Sequence, residues 1–244
     1  MDDQIDAIRA RIRAAQTVVI HLGAACGVEW ALDQGEHGSI DDSVVTNAPE
    51  VMATPDTFRR DPARLWRWYL WRRDRIARAE TQPWVETLSR FRRTGKTVSV
   101  ITENVDGALD GMGFDLLEIH GNLWRTRCLG CNRIEDQARV YAERLPPTCS
   151  HCMELLRPDV VLFGETLDSK TIERAMRLAC STDILLVVGT QGLVATSATM
   201  VNLAHENGVY VVDVDGEDIP TANPGRINAS LRGCSTSILM RLLS

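Results

Sequence analysis

Two Cys-x-x-Cys pairs, CLGC at Cys128–Cys131 and CSHC at Cys149–Cys152, stand 17 residues apart. Each pair presents two thiols from one tight turn. Two such pairs at this separation supply the four corners of a tetrahedron. Cysteines used this way belong to a reducing compartment rather than to a disulfide framework. The spacing predicts a structural zinc held by Cys128, Cys131, Cys149 and Cys152. Four thiolates fill the coordination sphere and leave no position for a catalytic water. His151, inside the second pair, is read as a bystander. The segment around the pairs, residues 125–156, has little periodicity and reads as a module inserted into something larger.

The larger part alternates. Apolar runs rich in Val and Ile occur at Val18–His21, Thr97–Ile101, Leu117–His120, Val160–Phe163, Ile184–Val188 and Val209–Val214. Short, nearly continuous runs of this kind mark strands buried on both faces of a parallel sheet. Helical patterns fill the gaps at Ile5–Ala15, Pro62–Ala79, Val85–Arg93, Ile172–Ala179 and Ala195–Glu206. The alternation predicts an α/β fold with a doubly wound parallel sheet. A chain of 244 residues accommodates one such domain with a small insertion.

Charge narrows the function classes. The net charge of −6 argues against a specific nucleic-acid partner. No apolar run reaches the roughly 20 residues that span a bilayer, so no membrane association is expected. The N-terminus, MDDQIDAIRARIRAAQ, is charged and helix-like, unlike a signal peptide, which predicts a cytoplasmic protein. The only lysines are Lys96 and Lys170, and arginines crowd between Arg59 and Arg93. Solvated helix faces explain that crowding, with a local anion site as the sharper reading. Cys180 and Cys234 read as small buried hydrophobes.

Three stretches carry chemistry. VVIHLGAACG runs from a buried strand into a Gly23–Ala24 turn, as a chain does before a phosphate-cradling loop. Cys26, Glu29 and Trp30 then stand where such a loop favours small residues. In ITENVDG, Asn104 and Asp106 follow the carboxyl end of a strand, where open α/β sheets bind ligands. Together they offer donor and acceptor to a carboxamide; ordinary Asx-turn chemistry is the competing reading. In LEIHGNLWRTRC, His120 closes an apolar run before Gly121, which suits either a structural histidine or a general base.

ENVDG, then EIHGNLWRTRC, then the two CxxC pairs, then LRPDVVLFGE and a strand ending in Gly-Thr closely resemble the sirtuin family of NAD-dependent protein deacylases, over roughly residues 16–243. The resemblance implies a Rossmann-like NAD-binding domain (1–31, 80–124 and 157–244), a zinc-binding module (125–156), and a cofactor loop with the helical part of the small domain (32–79). NAD and an acylated lysine, in a protein or peptide, would meet in the cleft between domains; an acylated small molecule is the variant of that reading. His120 would be the catalytic base. Gly23, Ala24, Asn104, Asp106, Gly189, Thr190, Asp215 and Cys234 would contact the cofactor, Asn104 and Asp106 at its nicotinamide. Val161, Phe163, Gly164 and Glu165 would pair with an extended substrate backbone. Tyr69 and Arg72 form the Y-x-x-R pair that resembles sirtuins acting on succinyl, malonyl or glutaryl groups, where the two side chains would bind the distal carboxylate. An amphipathic helix with core aromatics is the plainer reading of the same stretch.

The sequence departs from the family pattern around the cofactor. Ala25 replaces the third-position glycine of Gly-Ala-Gly, where a Cβ would crowd a pyrophosphate or forbid a positive φ. Gly35 and Glu36 stand near the family's Phe-Arg. Glu103 replaces a glutamine, adding a negative charge beside His120, and Gln191 replaces a serine. Three readings follow: a divergent NAD-dependent deacylase, a sirtuin-like enzyme with altered chemistry on NAD or a small molecule, and a non-catalytic nucleotide- or peptide-binding module.

Overall fold

The computed structural model describes residues 1–28, 49–136, 144–192, 195–220 and 223–244. In chain order its elements are α1 (Asp2–Ala14), β1 (Thr17–Leu22), α2 (Pro55–Arg60), α3 (Pro62–Arg78), α4 (Pro83–Arg92), β2 (Thr97–Thr102), β3 (Asp115–Glu118), β4 (Gly121–Cys128), β5 (Ile134–Asp136), β6 (Leu156–Val160), α5 (Ser169–Cys180), β7 (Ile184–Val188), α6 (Ala195–Glu206), β8 (Tyr210–Asp215), β9 (Ala229–Arg232) and α7 (Ser235–Leu243). Local signals set several helix starts. Thr54, Asp61 and Asp168 cap α2, α3 and α5 by accepting the N–H of Thr57, Arg64 and Thr171. Pro55 and Pro62 occupy first-turn positions, where a missing N–H costs nothing.

The large sheet is parallel, in the order β3–β2–β1–β7–β8–β9. From β1 the chain winds outward through β2 and β3, then returns to β7 on the other side of β1. The strand order therefore reverses between β1 and β7, which opens a crevice at their carboxyl ends. Val18, Ile20 and Leu22 of β1 pack with α1, α4 and α7, while Val19 faces α5 and α6. This two-sided burial explains why the strands read as continuous apolar runs.

A second, antiparallel sheet, β5–β4–β6, carries the cysteine pairs at its end. The helices α2 and α3 share its core: Phe58, Leu65, Trp66 and Tyr69 pack with Leu123, Cys128, Cys149 and Leu156. Trp66 Nε1 donates to Leu156 O at 3.0 Å, pinning α3 to β6.

Two strand expectations shift. The run at Leu117–His120 forms a strand over Asp115–Glu118, so His120 lies beyond the strand's end. The run at Val160–Phe163 is not a strand of the parallel sheet: Val160 ends β6 of the small sheet. Phe163 is 50% exposed, which a strand covered on both faces forbids. The elements α2, β4, β5, β9 and α7 had no place among the sequence expectations. In β4 the register slips between Asn122 and Thr126, which breaks the alternation that marks a strand. Cys180 is half-buried and Cys234 exposed, so neither is a fully buried hydrophobe.

Candidate active site and metal centre

The strand ends converge as the topology requires. Gly23 leaves β1 and Gly189 leaves β7 side by side. A Cβ on Gly23 would lie 2.5 Å from Gly189 O and Thr190 Cα, so only glycine allows this approach. Gly23 N–H donates to Val188 O at 2.8 Å and Ala25 N–H to Gly189 O at 3.0 Å. Ala24–Cys26 form a 3₁₀ turn. Ala25 is not among the residues of positive φ, so the glycine it replaces is not needed for backbone reasons here. Cys26 is buried, and burial pushes its thiol well above the usual range, which makes it a packing residue and not a nucleophile.

At the centre of this approach Thr190 is buried, and its hydroxyl has no partner among the described residues. A buried hydroxyl left unpaired carries a desolvation cost that a ligand atom removes. The glycine cradle and this hydroxyl fit the phosphates of a dinucleotide. Asp215, at the end of β8, is buried and accepts from Gly192 N–H at 3.1 Å and Gly216 N–H at 2.9 Å. Gly233 N–H bonds Asp215 O, which brings Cys234, the residue before α7, to the same edge.

Asn104 and Asp106 reach back to the Gly23–Val28 segment. Asn104 Nδ2 donates to Gly23 O at 3.1 Å. Asp106 accepts from Val28 N–H at 2.8 Å and from Ala108 N–H at 3.0 Å. Burial raises the Asp106 carboxyl above its ordinary value despite these bonds. The two residues thus fix the chain as it leaves β1, a role the sequence did not suggest. Glu29, Trp30, Gly35 and Glu36 lie outside the described residues.

His120 Nδ1 lies 2.8 Å from Glu103 O. A carbonyl accepts only, so Nδ1 carries the proton in the neutral ring and Nε2 is left as a base. The Glu103 carboxylate does not turn to His120 as its bonded partner; it bonds His21 Nε2 at 3.1 Å and the Ser197 hydroxyl at 2.7 Å.

A cavity of about 420 Å³ opens beside His120, and its walls include Glu103, Tyr69, Arg72 and the segment 160–165. Tyr69 and Arg72 stand one turn apart on α3 and so share a face. The Arg72 guanidinium lies over the Trp68 ring, 4.5 Å from its centroid, and Tyr69 meets that Trp edge-on at 4.8 Å. This stacking holds a cation in the cavity wall. Opposite, Glu165 forms a bidentate pair with Arg157 at 2.6 and 2.8 Å and accepts Leu162 N–H. Burial would raise the Glu165 carboxyl, but Arg157 and that N–H hold it below the ordinary range. The N–H groups of Val161 and Phe163 are bonded to His120 O and Ala53 O.

The metal centre is compact. The sulfurs of Cys128, Cys131, Cys149 and Cys152 all lie within 4.8 Å of one another. Backbone N–H groups of Gly130 and Cys131 point at Cys128 Sγ, and that of His151 at Cys149 Sγ, an arrangement that stabilises thiolates. Four clustered thiolates with no open corner fit a structural zinc. His151 contributes its backbone only.

The sequence reading missed His21, Ser197 and Arg157. Only the departure at Glu103 signalled an unusual charge there.

A sequence model of the Sir2 family matches residues 43–196. The chain is 40% identical over 196 residues to the NAD-dependent protein deacylase 2 of Pyrobaculum aerophilum, covering 80% of this chain and 78% of that protein. It is 37% identical over 180 residues to the NAD-dependent protein deacylase 1 of Caldanaerobacter subterraneus, covering 73% and 74%. Among solved structures, a Sir2 homologue in complex with NAD superposes with a TM-score of 0.82 at 27% identity, over 100% of this chain and 92% of that one.

Proposed function

Because this chain belongs to the Sir2 family, we propose that it is an NAD-dependent protein-lysine deacylase. NAD, when bound, would supply an electrophilic ribose carbon with nicotinamide as leaving group, so that NAD, acyl-lysine and one water give nicotinamide, O-acyl-ADP-ribose and free lysine. Gly23, Ala24, Gly189 and Thr190 would hold the phosphates, with Asp215 and Cys234 on the adenosine side. Asn104 and Asp106, which are bonded to the Gly23–Val28 segment, would line the nicotinamide pocket. His120 would take a proton from a ribose hydroxyl through Nε2. Val161, Phe163, Gly164 and Glu165 would border the substrate chain; with the N–H groups of Val161, Phe163 and Glu165 spent internally, carbonyl oxygens remain for pairing. Zinc at Cys128, Cys131, Cys149 and Cys152 holds the small sheet and takes no part in the chemistry.

The observation that carries this reading is the Nε2 of His120, kept free by the Nδ1–H bond to Glu103 O, in one cavity with Tyr69 and Arg72. The same cavity supports an acidic acyl group: the Arg72 guanidinium and the Tyr69 hydroxyl would bind its distal carboxylate. A metal site built of thiolates supports a reducing compartment, in keeping with the cytoplasmic location expected from the charged N-terminus. Calorimetric titration with NAD in the presence of an acylated peptide tests the cofactor. Saturable binding is expected; no binding under those conditions would leave the fold without this function.

A further inference from the structure

Beneath the candidate site lies a polar network that the reaction above does not use. His21 sits near the carboxyl end of β1 with no exposed surface. A buried imidazole is costly unless paired. Its Nε2 meets Glu103 Oε1 at 3.1 Å, while its Nδ1 has no partner among the described residues. The same carboxylate oxygen accepts the hydroxyl of Ser197, on α6, at 2.7 Å. Glu103 therefore collects donors from a strand and a helix far away in sequence. Its side chain is 9% exposed and borders the cavity that holds His120. Its main-chain carbonyl accepts the Nδ1–H of His120. One residue thus joins two imidazoles, the buried one through its side chain and the site one through its backbone.

The charge at Glu103 is supported from several sides. Burial alone would raise its carboxyl, but His21, Ser197 and His120 together hold it below the ordinary glutamate value. Among the described residues, the titratable groups that face it are His21 from β1 and His120 from the turn after β3, and α6 contributes a hydroxyl.

We propose that His21 is a positioning residue: by fixing the Glu103 side chain it fixes the Glu103 carbonyl, and with it the tautomer and orientation of His120. The importance of His120 rests on the deacylase reading, but the coupling between the two imidazoles is physical and is read without turnover.

The test uses the whole chain with ¹⁵N-labelled histidine; its five imidazoles are resolved by long-range ¹⁵N–¹H correlation. In the parent, His120 is expected as the Nδ1–H tautomer and His21 as the Nε2–H form. In His21→Leu the Nδ1–H form of His120 should lose its dominance, and kcat should fall about tenfold with KM for the acyl peptide within about twofold, as expected when orientation and not affinity is lost. Adding Glu103→Gln to His21→Leu should restore most of both, because a neutral amide no longer needs the donor. Ser197→Ala, a smaller change that keeps the fold if His21→Leu does not, should shift the His120 tautomer in the same direction. An unchanged His120 tautomer in a folded His21→Leu or Ser197→Ala protein overturns the proposal. Coupling seen in a parent that makes no deacylated product would uphold it and overturn the deacylase reading instead.

Discussion

Gly23 and Thr190 show what a single residue decides here. The added Cβ of Gly23→Ala would lie 2.5 Å from the backbone of Gly189 and Thr190, so the two strand ends must separate. Overpacking of this kind costs about 1–3 kcal/mol. We expect Gly23→Ala to fold with a lower Tm and to lose at least about tenfold in NAD affinity, equivalent to about 1.4 kcal/mol, measured by calorimetry. His120→Ala should cut turnover by about 10²–10⁴, the usual contribution of a general base, with the fold intact by circular dichroism. Arg72→Met should reduce desuccinylation at least about tenfold while changing deacetylation little; equal losses would make Arg72 a structural partner of Trp68. Glu103 gives a pH prediction with a definite sign. Its carboxyl is held below the ordinary value in the folded protein, so the stability it adds is present above about pH 4.3 and lost as pH falls through the folded value. Acid unfolding followed by fluorescence should therefore be less steep for Glu103→Gln. His120, Tyr69 and Arg72 could be singled out as candidates because each sits in a local motif, and the fold lines one cavity with them. His21 and Ser197 were not, because their partner lies 82 and 94 residues away and only the fold brings them together.

At the scale of elements, the zinc module and α3 are one structure. Cys128 and Cys149 lie in the same core as Leu65, Trp66 and Tyr69. Metal loss should therefore disturb the cavity beside His120 as well as the small sheet. A chelator strong enough to strip the four thiolates is expected to lower Tm, at about 2–4 °C per kcal/mol for a chain of this size, and to reduce turnover in parallel. Trp66→Ala removes a fully buried side chain and the bond to Leu156 O, for an expected loss of about 3–5 kcal/mol by denaturant unfolding. The cysteine pairs announced their module because spacing alone specifies a tetrahedron. The run Val160–Phe163 misled because an apolar tetrapeptide looks the same whether it enters a parallel sheet or ends an antiparallel one. Pairing with β4, set by residues some thirty positions earlier, decides the matter.

Across the whole molecule, the reversal of strand order between β1 and β7 gathers the site. It brings Gly23, Glu103, His120, Gly189 and Asp215 to the same edge, each at or just past a strand's carboxyl end. The alternation of apolar runs and helices foretold that sheet, since burial on two faces leaves a continuous hydrophobic signature. It did not foretell the six-strand order, which depends on crossovers invisible in any single segment. The most direct test of the account is a mass balance: the protein with NAD and a panel of acetylated and succinylated lysine peptides, products followed by mass spectrometry. The account predicts nicotinamide, O-acyl-ADP-ribose and free-lysine peptide in equal amounts, with the succinyl peptide preferred. Nicotinamide and ADP-ribose released without any change in the peptides would contradict it.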